Sequence, residues 1–136
     1  MEALEKRYNT TLKALATLEH ELMLAKNPKY EELHETIRNS IIQSFEYSLD
    51  TFWKFIKNYL QDKLGINLEV ISPKATIRNC LEAKIISAKE MEMLNKAIDD
   101  RNMTSHTYNE ELAEKIVQSI PQYYHAMHTI MQRITL

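Results

Sequence analysis

Glycine and cysteine each occur once in this 136-residue chain, and proline three times. With a single glycine there is no Gly-rich loop to cradle a phosphate, which excludes the nucleotide folds built on one. So little Gly and Pro also leaves scant turn chemistry for a many-stranded fold and favours long helices. The lone cysteine, Cys80, forbids an intrachain disulfide framework and any Cys-x-x-Cys motif, so a cytoplasmic setting is expected rather than a secreted one. Cys80 itself reads as a small buried hydrophobe. No apolar run approaches ~18 residues, so no membrane span is expected. The stretch Met1-Glu2-Ala3-Leu4-Glu5-Lys6 lacks the apolar core of a signal peptide. An excess of either charge is missing too. The formal net charge is −2, and residues 1–64 carry 9 Lys+Arg against 10 Asp+Glu, residues 65–136 8 against 9. Any nucleic-acid contact must therefore rest on a local patch and not on a global field.

What is present is helical periodicity in a chain that is 44% hydrophobic, enough for one globular domain with a real core. Leu4, Tyr8, Leu12, Leu15, Leu18, Leu22 and Ala25 recur at three-four spacing and predict a first helix over about 3–26, which Asn27-Pro28 ends. A long second helix follows over about 30–64, with a stripe of Leu33, Ile37, Ile41, Phe45, Leu49, Phe52, Ile56 and Leu60. A second row, Ile42, Glu46, Leu49, Trp53 and Ile56, widens its apolar face beyond what one neighbour requires, so it either sits centrally or also forms a subunit interface. Gly65 falls where a left-handed cap belongs. Residues 66–71 alternate like a strand but have no partner, so an extended connector packed on the bundle is expected. Ser72-Pro73 opens a third helix ending near 84, with Ile77, Leu81 and Ile85 inward. Ser87-Ala88-Lys89-Glu90 is a capping box opening a fourth. Asn109 caps a fifth, which carries Leu112, Ile116, Ile120, Tyr123, Met127, Ile130 and Ile134 inward and should bend at Pro121. The expected architecture is all-α: an up-and-down bundle of four to five helices forming one domain over 1–136.

Few residues offer chemistry. His125 and His128 stand three apart on the fifth helix, a weak ligand pair on its own. Glu31-Glu32-Leu33-His34 matches half of a di-iron motif, and its second copy is missing. No metal and no cofactor is therefore assigned. The fourth helix is different. Met91, Leu94 and Ile98 form its stripe, and Arg101 takes the next core-facing position. Five residues on stands His106, then Tyr108. Arginine can hold a phosphate and stabilise developing charge; histidine can carry a proton near neutral pH. Together they suit attack of a ribose 2′-hydroxyl on its own phosphodiester. They equally suit a carbonyl-capping Arg and a His in a polar loop. In an unbroken helix Arg101 and His106 lie about 140° apart, so they converge only if the helix unwinds after about 102 or a second subunit supplies half the site. Glu46, flanked by Ile42, Leu49 and Trp53, either seeks a cation or reaches water at the rim. Asp50 and Lys54 form an i,i+4 pair on a solvated face.

The run Arg101-Asn102-Met103-Thr104-Ser105-His106-Thr107-Tyr108 resembles the Arg-Asn-x-x-x-His-x-Tyr signature of HEPN-domain proteins of the HepT-like group, also described as nucleotidyltransferase substrate-binding proteins. Phe45-Glu46 through Trp53-Lys54, Ser72-Pro73 and Tyr108-Asn109-Glu110-Glu111 match as well, so the resemblance covers nearly the whole chain. It implies a helical-bundle homodimer whose motifs meet in a cleft. It implies a toxin-type, metal-independent ribonuclease with Arg101 and His106 catalytic, and Asn102 helping to shape the site, with Glu46 beside it. It further implies a minimal nucleotidyltransferase acting as antitoxin and transferring AMP onto Tyr108. Two other functions stay open: a non-catalytic subunit that binds nucleotide or substrate for a nucleotidyltransferase, and a dimerising helical adaptor.

Overall fold

A computed structural model describes residues 2–136. Five α-helices account for most of them: α1 (Glu2–Ala25), α2 (His34–Asn58), α3 (Pro73–Glu82), α4 (Ala88–Met103) and α5 (Glu110–Arg133). No strand occurs among the described residues. The helix α2 is the hub and packs against each of the other four. Hydrogen bonds between α1 and α2 pair Thr11 with Thr51, Ala14 with Ser48, and Glu21 with Ser44 and Ser40. Numbers rise on one helix as they fall on the other, so the two are antiparallel. The pairs Asp100–Tyr123 and Glu90–Arg133 set α4 antiparallel to α5 in the same way.

Most of α2's apolar face is buried within the chain, while Trp53 of its second row stays half-buried at the surface. Ile41, Ile42, Phe45, Leu49, Phe52, Phe55 and Ile56 are all buried against the other helices. Phe45, Phe52 and Phe55 are the largest fully buried side chains, and Phe45 stacks on Tyr123 of α5. α2 thus takes the central position in the chain. Removing any of these rings would cost about 3–5 kcal/mol in lost transfer energy and cavity.

The ends follow local chemistry. Asn27 accepts from the Lys29 amide and starts a 3-10 segment, Pro28–Leu33, before α2 proper begins. The expected single helix over 30–64 is thus three pieces: this segment, α2, and a wide π turn at Tyr59–Lys63. Non-helical backbone at Tyr30 and Leu33 breaks the phase, which is why Leu33 is 50% exposed and not in the stripe. Gly65 takes φ +66, the left-handed cap expected of it. The connector 66–71 forms no strand; Leu68 is buried while Val70 and Ile71 are exposed. After α3, Lys84 adopts φ 63, and Ile86 is buried beside a half-buried Ile85 that packs on the same core. Ser87 and Glu90 form the reciprocal capping box, and Asn109 caps α5, which runs without interruption through Pro121. Cys80 is buried, and desolvation, with Glu90 nearby, pushes its thiol up to about 12.

Candidate functional site at the end of helix 4

The last turns of α4 are gripped from three sides by consecutive residues. Asp99 pairs with Lys74 of α3 at 2.6 Å. Asp100 accepts a 2.6 Å hydrogen bond from the Tyr123 hydroxyl of α5, and burial together with that bond holds the phenol protonated far above its ordinary range. Arg101 reaches α2. Its Nη1 donates to Glu46 at 3.1 Å, and its Nε and Nη2 donate to Asp50 at 3.4 and 3.1 Å. Three charges in a row thus lock α4 to every helix around it. A cation in the last turn also suits the negative end of the helix.

Glu46 has therefore found the cation its apolar flanks called for. Asp50 does not pair with Lys54, as the i,i+4 spacing suggested, but with Arg101. The reason is geometric: Glu46 and Asp50 are one turn apart on the same edge of α2, and a guanidinium fork can span both. The hydrogen bonds to Asp50 raise the Arg101 guanidinium above its ordinary value, so it stays charged at any physiological pH. Thr104, only 5% exposed, completes the cluster. Its hydroxyl lies 2.6 Å from Glu46 Oε2 and 2.7 Å from the Arg101 carbonyl, and it accepts from Arg101 Nη1 at 3.2 Å.

Beyond Met103 the chain tightens into a 3-10 turn, Thr104–His106, held by the Thr107 hydroxyl on the Thr104 carbonyl and by the Asn109 amide on the His106 carbonyl. The helix does unwind, one residue later than the sequence suggested. Tightening does not bring the two residues together: three residues per turn leave His106 roughly 160° from Arg101. Arg101 faces inward to α2, while His106 is exposed and no hydrogen bond joins it to Arg101. Asn102 is exposed as well. His106 and Tyr108 do come together, edge to face with centroids 6.2 Å apart, and Tyr108 is 84% exposed.

A second polar cluster ties the start of α2 to α5. The buried Arg38 donates to Glu114 at 3.2 Å, and His34 meets the same oxygen at 2.7 Å. The bond from His34, then that from Arg38, holds the Glu114 carboxyl below its usual range. His34 thus serves an interhelical bond, while His128 stacks on Tyr124. No group of three or more His, Cys, Asp or Glu side chains is placed to hold a metal among the described residues.

The roles of Asp50 and Thr104 went unread in the sequence. A signal for Asp50 was present, since it repeats Glu46 one turn on. Thr104 sits three after Arg101 on the same face, but only the fold shows that its hydroxyl reaches α2.

This is an all-α bundle carrying a polar corner where one helix ends and the next begins. The family model described as "Nucleotidyltransferase substrate binding protein like" matches residues 6–135, and the chain belongs to that family. A crystal structure of a protein from Thermus thermophilus is 36% identical, covers 90% of this chain and 97% of its own, and superposes with a TM-score of 0.79. A Haemophilus influenzae protein, described as revealing the fold of a substrate binding domain of a nucleotidyltransferase, shares the fold at 23% identity and TM-score 0.80, over 92% and 96% of the two chains. None of the curated proteins compared with the chain matches it significantly. Among the described residues, no helix is long and apolar enough to cross a membrane.

Proposed function

We propose that the protein is the toxin of a toxin–antitoxin pair: a homodimeric, metal-independent endoribonuclease silenced when a nucleotidyltransferase antitoxin transfers AMP onto Tyr108. The observation that carries this reading is the corner itself. His106 and Tyr108 stand side by side on an exposed turn, directly after an arginine held rigid by Glu46 and Asp50. His106 would take the proton from a ribose 2′-hydroxyl. That oxygen attacks the adjacent phosphorus, the P–O5′ bond breaks, and the leaving O5′ takes a proton from a protonated His106 imidazole. The products are a 2′,3′-cyclic phosphate and a 5′-hydroxyl. Arg101 would stabilise the charge on the phosphorane with the Nη2 hydrogen its partners leave unspent. Since one chain turns Arg101 and His106 to opposite sides, the complete site draws on both protomers. The exposed Met103 within the motif supplies apolar surface for that contact. AMP on Tyr108 adds a phosphate and a nucleoside next to His106, repelling RNA and filling the cleft.

The test is cleavage of RNA by the purified chain with chelator present. Cyclic phosphate ends should form, and Arg101→Ala and His106→Ala should each abolish them with the dimer intact. Cleavage that survives both changes sinks the proposal. Mass spectrometry of the chain made with its partner and ATP should place AMP on Tyr108.

One observation favours a second reading. Two carboxylates face one guanidinium, so the cluster carries a net charge of −1. A non-catalytic subunit that binds nucleotide or substrate for its nucleotidyltransferase would need no free arginine. It would form the complex and bind nucleotide, yet show no RNA turnover.

A further inference from the structure

With Arg101 neutralised by Glu46 and Asp50, the corner by itself does not attract a polyanion. The positive charge an RNA ligand needs must come from elsewhere. It is found around the next turn of the same helix. The groove between α1 and α2 is lined at one end by Lys6, Arg7, Thr10, Thr11, Thr51 and Lys54, over buried Phe55, and encloses about 350 Å³. It contains three cations and no carboxylate. None of the three makes an ion pair among the described residues, although Arg38, Lys74, Arg101 and Arg133 all do. A second cavity between the same two helices shares Thr10 with it and is lined by Lys13, Ser44 and Tyr47. Tyr47 presents a 55% exposed ring there. Acidic Glu21 closes the far end, its two oxygens taken by Ser40 and Ser44.

Helix geometry joins this groove to the corner. Lys54 lies one turn beyond Asp50, and Tyr47 follows Glu46 in sequence, about 100° around α2. A cationic groove that tracks the backbone, together with an exposed aromatic platform, is the combination by which proteins hold single-stranded nucleic acid. Thr10, Thr11 and Thr51 spend their hydroxyl hydrogens on backbone carbonyls, which leaves the phosphates to the three cations.

We infer that the α1–α2 groove is the RNA-binding track of this protein: Lys6, Arg7 and Lys54 hold backbone phosphates of a single strand, and Tyr47 stacks a base next to the Glu46–Arg101 corner. The inference rests on the ribonuclease reading and supplies the substrate contact that reading lacks.

The test uses the full-length His106→Ala chain, a fluorescein-labelled single-stranded RNA, and anisotropy titrations between 50 and 200 mM salt. The triple change Lys6→Ala/Arg7→Ala/Lys54→Ala is on exposed side chains, and its thermal melt should match the parent. It should weaken binding at least tenfold and reduce the slope of log K against log salt by about 2, at about 0.7 per phosphate contact on a single strand. Tyr47→Ala should weaken binding about 5- to 100-fold and leave the slope unchanged. A triple variant that binds with the parent's affinity and slope overturns the groove while the ribonuclease reading stands. If the His106→Ala chain binds no RNA at all, the ribonuclease reading falls and the groove with it.

Discussion

Replacing Thr104 by valine removes one hydroxyl from the centre of the corner and changes almost nothing else in shape. In the native chain that hydroxyl is 2.6 Å from Glu46 Oε2 and accepts from Arg101 Nη1 at 3.2 Å, with the residue only 5% exposed. A hydrogen bond to a charged group is worth about 1.5–3 kcal/mol. Glu46 keeps its bond to Arg101 and is a third exposed, so water recovers part of the loss. The expected destabilisation is therefore about 1–2 kcal/mol, toward the lower end of the range for charged partners. For a chain of this size that is a fall in Tm of roughly 4–8 °C. Urea unfolding of wild type, Thr104→Val, Glu46→Ala and the double variant, at one protein concentration, isolates the pair. A coupling of about 1 kcal/mol is expected, because each single change already breaks the shared bond. If Thr104→Val unfolds within about 0.3 kcal/mol of wild type, or the two changes simply add, the hydroxyl does not hold Glu46.

Three further outcomes follow from the same geometry. Phe52→Ala should cost about 3–5 kcal/mol by denaturant unfolding, since the ring is fully buried in the helix that touches all the others; a loss under about 1 kcal/mol would mean that the site collapses or that the hub assignment is wrong. The Arg133 hydrogen bond holds the Glu90 carboxyl below its ordinary value, so its contribution is fully present above about pH 4.3 and is lost as pH falls through the depressed folded value. Thermal melts should therefore decline on acidification below that point, and Glu90→Gln should flatten the decline; an identical pH profile in the variant would refute the assignment. Lys84 sits at φ 63, where a Cβ is strained, so Lys84→Gly should raise stability by up to about 1 kcal/mol, read from the urea midpoint. A loss of stability there would show that the lysine side chain matters more than the turn.

Much of this protein is settled by local chemistry, which a sequence carries openly. Leu15 and Leu18, Phe45 through Phe52, and Ile116 through Ile130 repeat at helical spacing, so their burial follows from periodicity. Asn27, Ser72, Ser87 and Asn109 cap helices through bonds to amides two or three residues on, and Gly65 takes the left-handed turn that only glycine adopts freely. The run from Arg101 to Tyr108 stood out by resemblance, and the apolar flanks of Glu46 left a cation partner and a wet rim both open. What the chain alone left open depends on how rigid helices meet. Whether Asp50 pairs with Lys54 one turn away or with Arg101 across the bundle is decided by the approach of α4 to α2. Tertiary packing likewise fixes Thr104 against Glu46 and Tyr123 against Asp100, residues 58 and 23 apart in sequence. It buries Ile41 through Ile56 on the inner side of α2, and it gathers Lys6, Arg7 and Lys54 into one groove. Periodicity tells a helix which face to bury; only the assembled bundle determines which charges those buried faces bring together.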